Sequence, residues 1–106
     1  MQRLFQNEWK QGSESSESVI LDVRTPEEWE DGIIPGAVTL NIFDAHGFMD
    51  AISKMDTSKD YYIYCRSGAR SGQACQIMAS KGFQNVNNLE GGIMDWTGDV
   101  VEYKAN

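Results

Sequence analysis

The chain is poor in the residues that build disulfide frameworks and metal centres. Its 106 residues include two cysteines, Cys65 and Cys75, and a single histidine, His46. Two cysteines make no disulfide framework, and their spacing matches neither a CxxC redox pair nor a zinc-ligand pair. At least one of them is therefore expected to stay a free thiol. A lone histidine is more often a surface or packing residue than a general base, so His46 is assigned no role.

Long apolar runs are also missing. No segment approaches the about 20 apolar residues needed to cross a bilayer. The first eight residues lack the apolar stretch of a secretory signal peptide. We therefore expect a cytoplasmic protein that makes no use of a membrane.

Basic residues are outnumbered by acidic ones. Sixteen Asp and Glu against nine Lys and Arg leave a formal net charge of −7, and no basic stripe offsets it. Such a surface repels phosphate polymers, which argues against a nucleic acid partner.

The remaining composition is that of an ordinary globular chain. Hydrophobic residues make up 41% and charged residues 24%, with only two prolines. A length of 106 residues suits one compact domain and is too short for two independent cores. The sequence therefore predicts one domain over residues 1–106.

Short apolar runs rich in β-branched and aromatic residues predict the strands. The two clearest runs are 19–23 and 61–65, and the shorter candidates are 37–40 and 86–89.

Helix signals lie between these runs. Thr25 can cap a helix whose first position is Pro26, and Glu28 completes a capping box. Residues 71–81 carry apolar side chains at helical spacing, and Gly82 predicts a left-handed cap at the end of that helix. The weaker helix candidates are 5–10 and 45–55, and a polar loop is expected over 12–18.

Strands that alternate with helices predict an α/β fold, in which a parallel sheet carries helices on both faces. Binding sites of such folds form at the carboxyl ends of the strands. Cys65 lies at the end of a predicted strand.

Cys65 begins a segment with the features of an anion-binding turn. Residues 65–71, with the sequence CRSGARS, join a predicted strand to a predicted helix. Backbone N–H groups at a helix N-terminus have no intrahelical partner and, together with the helix dipole, stabilise an anion. This field and the two arginines should lower the thiol pKa of Cys65, which makes it a candidate nucleophile.

A cysteine at a strand end is more often a packing residue than a nucleophile. The neighbours decide between the two interpretations, because Arg66, Gly68 and Arg70 suit an anion-binding turn and not a core. Cys75 lies on the apolar face of the predicted helix and is interpreted as a packing residue.

Four segments resemble the motifs of the rhodanese family, in the family's order and at similar spacings. They are 21–29 (LDVRTPEEW), 34–37 (IPGA), 64–71 (YCRSGARS) and 91–96 (GGIMDW). The resemblance extends from about residue 19 to about residue 96, which it makes the core of the domain.

The resemblance implies a rhodanese-like fold, with a central parallel sheet of about five strands, and a sulfurtransferase activity. Cys65 would take sulfane sulfur from a small anionic donor such as thiosulfate, forming a persulfide. A thiophilic acceptor would then remove the sulfur: cyanide, a thiol, or a protein of a sulfur relay. No metal and no organic cofactor are implied.

The resemblance also implies roles for the loop. The persulfide would be held by the backbone amides of Arg66, Ser67, Gly68, Ala69 and Arg70, with Ser71 opening the helix. The two arginines would steer or hold the anionic donor, and the glycine would let the backbone turn.

Three other positions bear on the resemblance. Asp22 and Arg24 match a family pair at the end of the first strand, which would hold the loop in shape from neighbouring loops. An ordinary salt bridge is an equally good interpretation of that pair. Ile33 stands where many family members carry a histidine, so whatever that histidine contributes is absent.

Two alternatives to a sulfurtransferase stay open. Cysteine phosphatases and arsenate reductases also use a thiolate in a loop at a helix N-terminus, but tyrosine phosphatases place five residues between the cysteine and the phosphate-binding arginine. Here Arg70 follows Cys65 after four residues, so the loop is one residue too short. The other alternative is a non-catalytic rhodanese-like module that carries sulfur or binds a partner, although such modules often lack the cysteine.

Overall fold

Five short strands and four helices alternate along residues 1–105, the part of the chain that the computed structural model describes. In chain order they are β1 Gln2–Leu4, α1 Gln6–Ser13, β2 Ser18–Asp22, α2 Pro26–Trp29, β3 Val38–Thr39, α3 Ala45–Ser53, β4 Asp60–Tyr64, α4 Ala69–Ser80 and β5 Asn85–Leu89. A 3₁₀ turn, Ile93–Asp95, follows β5.

The strands form one parallel sheet in the order β1-β5-β4-β2-β3. Parallel neighbours need crossover connections, and the helices between the strands supply them. The parallel sheet confirms the predicted α/β fold.

Alternate residues of the central strands point to opposite faces of the sheet, and both faces are covered. Leu21 and Ile63 pack in a core cluster with side chains of α3 and α4. Tyr64 and Leu89 pack on the other face against Trp9 of α1, which is completely buried. The expected placement of helices on both faces is therefore confirmed.

The edge strand β1 was not predicted. Its residues Gln2, Arg3 and Leu4 pair with 87–89 of β5, so the sheet extends beyond the segment 19–96 that carries the motifs. An edge strand is held by backbone hydrogen bonds on one side and needs no apolar run, so the sequence pattern does not reveal it.

The polar loop expected over 12–18 is shorter than predicted, because α1 continues through Gly12 and Ser13. A Cβ at Gly12 would overlap the ring of Tyr62, lying 2.5 Å from its Cζ. The missing side chain lets α1 lie close against β4. Gly12, which the sequence pattern places in a loop, thus lies in α1 where this helix contacts β4.

Two predicted helix signals are present. Thr25 and Glu28 form the capping box of α2, in which Thr25 Oγ1 accepts the Glu28 N–H at 3.4 Å and Glu28 Oε1 accepts the Thr25 N–H at 3.3 Å. At the end of α4, Gly82 has φ +96° and its N–H donates to the Ala79 carbonyl. Phe83 follows and is buried in the core.

Among residues 1–105, no helix combines the length and the apolar character that crossing a bilayer requires.

A buried hydroxyl joins the carboxyl ends of β2 and β4. Tyr64 Oη donates to Asp22 Oδ2 at 2.7 Å and accepts the Ile34 N–H at 3.0 Å. Burial, reinforced by the Asp22 carboxylate, raises the pKa of Tyr64 far above its ordinary value, so the hydroxyl keeps its proton. One side chain thus hydrogen-bonds two buried polar groups.

We expect Tyr64→Phe to lower the free energy of unfolding by about 1–3 kcal/mol, because it leaves the buried Ile34 N–H without its acceptor and removes one of the hydrogen bonds to the buried Asp22 carboxylate. Urea unfolding followed by fluorescence measures the change. Tyr62→Phe is the matched control, since Tyr62 is only half buried in the same strand, and it should cost less than about 0.5 kcal/mol. Equal midpoints for the two variants would contradict the importance of the bridge.

Candidate active site

The carboxyl ends of β2, β4 and β5 meet at one edge of the sheet, and Cys65 directly follows β4 there. The Val23 N–H, just after β2, donates to the Tyr64 carbonyl at 3.1 Å. The loop that Cys65 opens is thus fixed at its base to the neighbouring strand.

The Cys65 sulfur lies at the centre of its own loop. The Gly68 N–H donates to Sγ at 3.1 Å, and Ser71 Oγ lies 3.4 Å from Sγ. Cys65 is 1% exposed, so these contacts form in a region that water scarcely reaches. Donor groups converge on the sulfur atom itself.

These contacts determine how readily the thiol ionises. Burial acts to raise the pKa of Cys65, but hydrogen bonds from the Ser71 side chain and from the backbone of Ser71, Gly68 and Ser67 outweigh it. The pKa is therefore below its ordinary value, in the direction predicted from the sequence. The main cause of the lowering is this set of hydrogen bonds.

The hydroxyl of Ser71 has a second acceptor. Ser71 Oγ lies 2.5 Å from Asn88 Oδ1, and the Asn88 side-chain N–H donates to the Gly68 carbonyl at 3.1 Å. A hydroxyl carries one hydrogen, so Asn88 and the sulfur compete for it. An ionised sulfur attracts that hydrogen more strongly than a neutral one does. Asn88 was not predicted as a site residue, although a polar residue inside a buried strand is a signal that could have found it.

Two backbone hydrogen bonds orient the loop. The N–H groups of Ile93 and Met94, in the 3₁₀ turn after β5, donate to the carbonyls of Cys65 and Arg66, both at 3.0 Å. The C=O and N–H of a trans peptide point in opposite directions. With the Arg66 carbonyl turned toward Met94, the N–H of Ser67 is turned toward the sulfur.

Gly92 makes this approach possible. Its backbone has φ +61°, a region that side chains rarely adopt. A Cβ there would overlap the Arg66 carbonyl and lie 2.6 Å from the Ser67 nitrogen. The Gly91-Gly92 motif therefore allows the segment after β5 to contact the backbone of the Cys65 loop.

The helix after the loop begins earlier than predicted. It starts at Ala69 and not at Ser71, because Gly68 with φ +106° turns the chain and its carbonyl accepts the Gly72 N–H at 3.0 Å. The free N–H groups of the first helical turn thus begin within the loop. The amides of Ser67, Gly68 and Ser71 approach the thiol sulfur of Cys65.

The two arginines of the loop differ in their partners. The guanidinium of Arg70 is bound by Glu28, with Nη1 to Oε1 at 2.6 Å and Nη2 to Oε2 at 2.9 Å. The Phe43 ring lies over the same guanidinium, 5.5 Å from its Cζ. Arg66 is exposed, and within residues 1–105 its side chain forms no salt bridge. Glu28 was expected only as a helix cap.

Asp22 and Arg24 form a buried ion pair beside the loop. Arg24 Nη2 donates to Asp22 Oδ2 at 2.7 Å and to the Gly32 carbonyl at 2.8 Å. Because Tyr64 donates to the same carboxylate, the pair contacts the residue immediately before Cys65. It thus connects the end of β2 with both β4 and the segment after α2.

Two further positions are packed away in the interior. Ile33, which replaces the common family histidine, is buried and exchanges two backbone hydrogen bonds with Val101. Burial raises the pKa of the Cys75 thiol to about 12, which leaves it protonated at neutral pH. Its place in the core cluster confirms that Cys75 is a packing residue.

Most of the chain matches the model of a known family. The model of the rhodanese-like domain family matches residues 5–99. The chain belongs to the rhodanese-like domain family. The match begins well before residue 19, in keeping with the place of α1 against the sheet.

Known rhodanese-like proteins resemble the chain over most of its length. It is 39% identical over 84 residues to the sulfurtransferase of Allochromatium vinosum, covering 79% of this chain and 76% of that protein. It is 33% identical over 79 residues to the thiosulfate sulfurtransferase GlpE of Pseudomonas syringae, covering 74% and 72%. The crystal structure of a rhodanese-like domain protein from Staphylococcus aureus matches with a TM-score of 0.82 and 30% identity, covering 98% of this chain and all of that one.

We expect Ser71→Ala to raise the pKa of Cys65, because it removes the hydrogen bond from the Ser71 hydroxyl to the sulfur. The rate of iodoacetamide alkylation at neutral pH should fall by about three- to tenfold, as a partly shared hydrogen bond to a charged acceptor implies. The pH dependence of the alkylation rate measures the shift. Ser67→Ala is the control, since Ser67 contributes its backbone N–H, and an equal fall in that variant would contradict the assignment.

Proposed function

We propose that the protein is a sulfurtransferase in which Cys65 carries sulfur as a persulfide. The observation that carries this proposal is the Cys65 sulfur itself, buried at the end of β4 with the Gly68 N–H 3.1 Å away and a lowered thiol pKa. Relatives named as sulfurtransferases support it.

In the first step the Cys65 thiolate attacks the outer sulfur of a donor such as thiosulfate. A bond forms between Sγ and that sulfur, and the sulfur–sulfur bond of thiosulfate breaks. Sulfite leaves with the electron pair, and the enzyme keeps a Cys65 persulfide with one negative charge. The total charge of −3 is the same before and after the step, so no outside oxidant or reductant is needed.

In the second step a nucleophile attacks the terminal sulfur of the persulfide. Cyanide forms a carbon–sulfur bond and leaves as thiocyanate, while the electron pair of the broken sulfur–sulfur bond returns to the Cys65 thiolate. A thiolate acceptor reacts in the same way and leaves as its own persulfide. No proton transfer is required, so the reaction needs no histidine at the place of Ile33.

The loop is suited to the charge that moves during this cycle. We propose that the terminal sulfur of the persulfide lies near the free N–H groups at the start of α4. Those amides and the helix dipole stabilise the negative charge there as they stabilise the thiolate in the free enzyme. The exposed guanidinium of Arg66 lies in the same loop and attracts an anionic donor.

A cysteine phosphatase is a weaker proposal. Such an enzyme must enclose a tetrahedral phosphate above its thiolate, whereas here the Gly68 N–H and Ser71 Oγ point at the sulfur itself. Since α4 begins at Ala69, the turn before it contains only Arg66, Ser67 and Gly68. We therefore favour a single sulfur atom over a tetrahedral phosphate as the group that this short turn holds.

We expect Cys65→Ser to abolish sulfur uptake. After incubation with thiosulfate, intact-mass analysis of the wild type should show a gain of one sulfur, about 32 Da, and cyanide should remove it as thiocyanate. Cys75→Ala is the matched control and should keep the full gain, because Cys75 is a buried packing residue. If the wild type gains no sulfur from thiosulfate, polysulfide or mercaptopyruvate, the sulfurtransferase proposal is wrong.

We expect Arg66→Ala to raise the KM for thiosulfate by about tenfold, because it removes an exposed positive charge from the loop. Thiocyanate formation at varied thiosulfate concentration measures KM. Ser67→Ala changes a neighbouring exposed residue without changing charge and should leave KM within about twofold. A KM for Arg66→Ala equal to that of the wild type would remove Arg66 from donor binding.

A further inference from the structure

We propose that Glu28 sets the donor preference of the site, by occupying Arg70 so that donors with one negative charge are favoured over dianions. This inference rests on the proposed function and names the donor class of that same site. It concerns Glu28, whose capping role alone does not require a guanidinium partner.

Glu28 and Arg70 form a bidentate ion pair. Both carboxylate oxygens are bound, one to Nη1 and one to Nη2, at 2.6 and 2.9 Å. This end-on pair of N–H groups is the one through which a guanidinium grips an oxyanion in bidentate fashion. The Phe43 ring covers the guanidinium at 5.5 Å. The two terminal nitrogens of Arg70 are therefore already bound to Glu28 when an oxyanion donor enters the site.

The charges of the loop follow from this pairing. Arg70 and Glu28 sum to zero, and their side chains are only 21% and 25% exposed, so water weakens the pair little. Arg66 is then the exposed positive charge of the loop. A thiosulfate dianion beside the Cys65 thiolate brings three negative charges to this place. A persulfide or a thiosulfonate brings only two, counting the thiolate.

The Glu28–Arg70 ion pair stays intact at every pH at which Cys65 is a thiolate. The Arg70 guanidinium, against some loss of hydration, lowers the pKa of Glu28 to about 2. Glu28 is therefore ionised wherever Cys65 is a thiolate, and a change of pH in that range does not break its ion pair with Arg70. Substitution of Glu28 does break it.

Glutamine is the right replacement at this position. Glu28 Oε1 also accepts the N–H and the hydroxyl of Thr25, at 3.3 and 3.0 Å, in the capping box of α2. Glutamine serves in capping boxes as glutamate does, so Glu28→Gln removes the charge and keeps the cap. Glu27→Gln is the matched control, because Glu27 is exposed in the same helical turn and loses the same charge.

Two donors that differ in charge test the preference. Thiosulfate and methanethiosulfonate both present an outer sulfur on an oxidised sulfur atom, but the second has a methyl group in place of one charged oxygen. In its reaction the Cys65 thiolate bonds to the outer sulfur, the sulfur–sulfur bond breaks, and methanesulfinate leaves with the electron pair. The total charge of −2 is conserved.

The experiment measures kcat and KM for both donors, with cyanide as acceptor, in the wild type, Glu28→Gln and Glu27→Gln. We expect Glu28→Gln to raise kcat/KM for thiosulfate by about tenfold and for methanethiosulfonate by about threefold, since the interaction with a freed charge scales with donor charge. The gain should lie in KM and not in kcat. Glu27→Gln should leave both values within about twofold.

A second variant connects the effect to Arg70. Adding Arg70→Gln to Glu28→Gln should cancel the gain for thiosulfate, because the guanidinium that was freed is then absent. Thermal unfolding of each variant shows whether the fold is kept. A gain that persists without Arg70 would overturn the proposal.

Other results would also overturn it. Glu28→Gln that keeps the wild-type melting temperature and the wild-type ratio of the two kcat/KM values would show that Glu28 does not control the donor. A fall for both donors would show that Glu28 supports Arg70 in the reaction. Sulfur uptake by the wild type from neither donor would remove the sulfurtransferase proposal as well, which separates the two failures.

Discussion

Two backbone hydrogen bonds, from Ile93 and Met94 to the carbonyls of Cys65 and Arg66, are the constraint on which the site depends. With the Arg66 carbonyl turned toward Met94, the N–H of Ser67 is turned toward the sulfur, which the N–H groups of Gly68 and Ser71 also approach. The contact requires Gly92, where a side chain would overlap the Arg66 backbone. The segment after β5 thereby determines the electrostatics of a residue that follows β4.

The two cysteines show what that arrangement achieves. Cys65 and Cys75 are 1% and 0% exposed, so burial acts on both thiols in the same direction. Yet the pKa of Cys75 rises to about 12, while the pKa of Cys65 is lowered. Burial dominates for Cys75, whereas hydrogen bonds from the loop and from Ser71 outweigh it for Cys65. The ionisation of these two buried thiols thus follows from the orientation of dipoles and not from exposure.

Charged pairs hold the surroundings of the loop in place. Asp22 and Arg24 form a buried pair at the end of β2, which Tyr64 connects to β4. Glu28 and Arg70 join α2 to α4 on the other side of the loop. Asp22, Arg24 and Glu28 each also have a hydrogen bond outside their own pair, which lowers the cost of removing a charge from water. The charges of these two pairs therefore stabilise the structure around the loop, whereas the charge of Arg66 is exposed at the surface.

The sequence by itself determined the local features: the α/β order, the capping box at Thr25, the end of α4 at Gly82, and Cys65 as the candidate nucleophile. Each rests on residues close together in the chain, whose patterns reflect backbone geometry and burial. The tertiary structure alone decided the roles of Asn88, which lies 17 residues from its partner Ser71, and of Glu28, which lies 42 residues from Arg70. It also decided the edge strand β1, whose residues carry no apolar pattern. Contacts of this kind form only when parallel strands bring their carboxyl ends to one edge, and no local pattern records which distant side chains then meet.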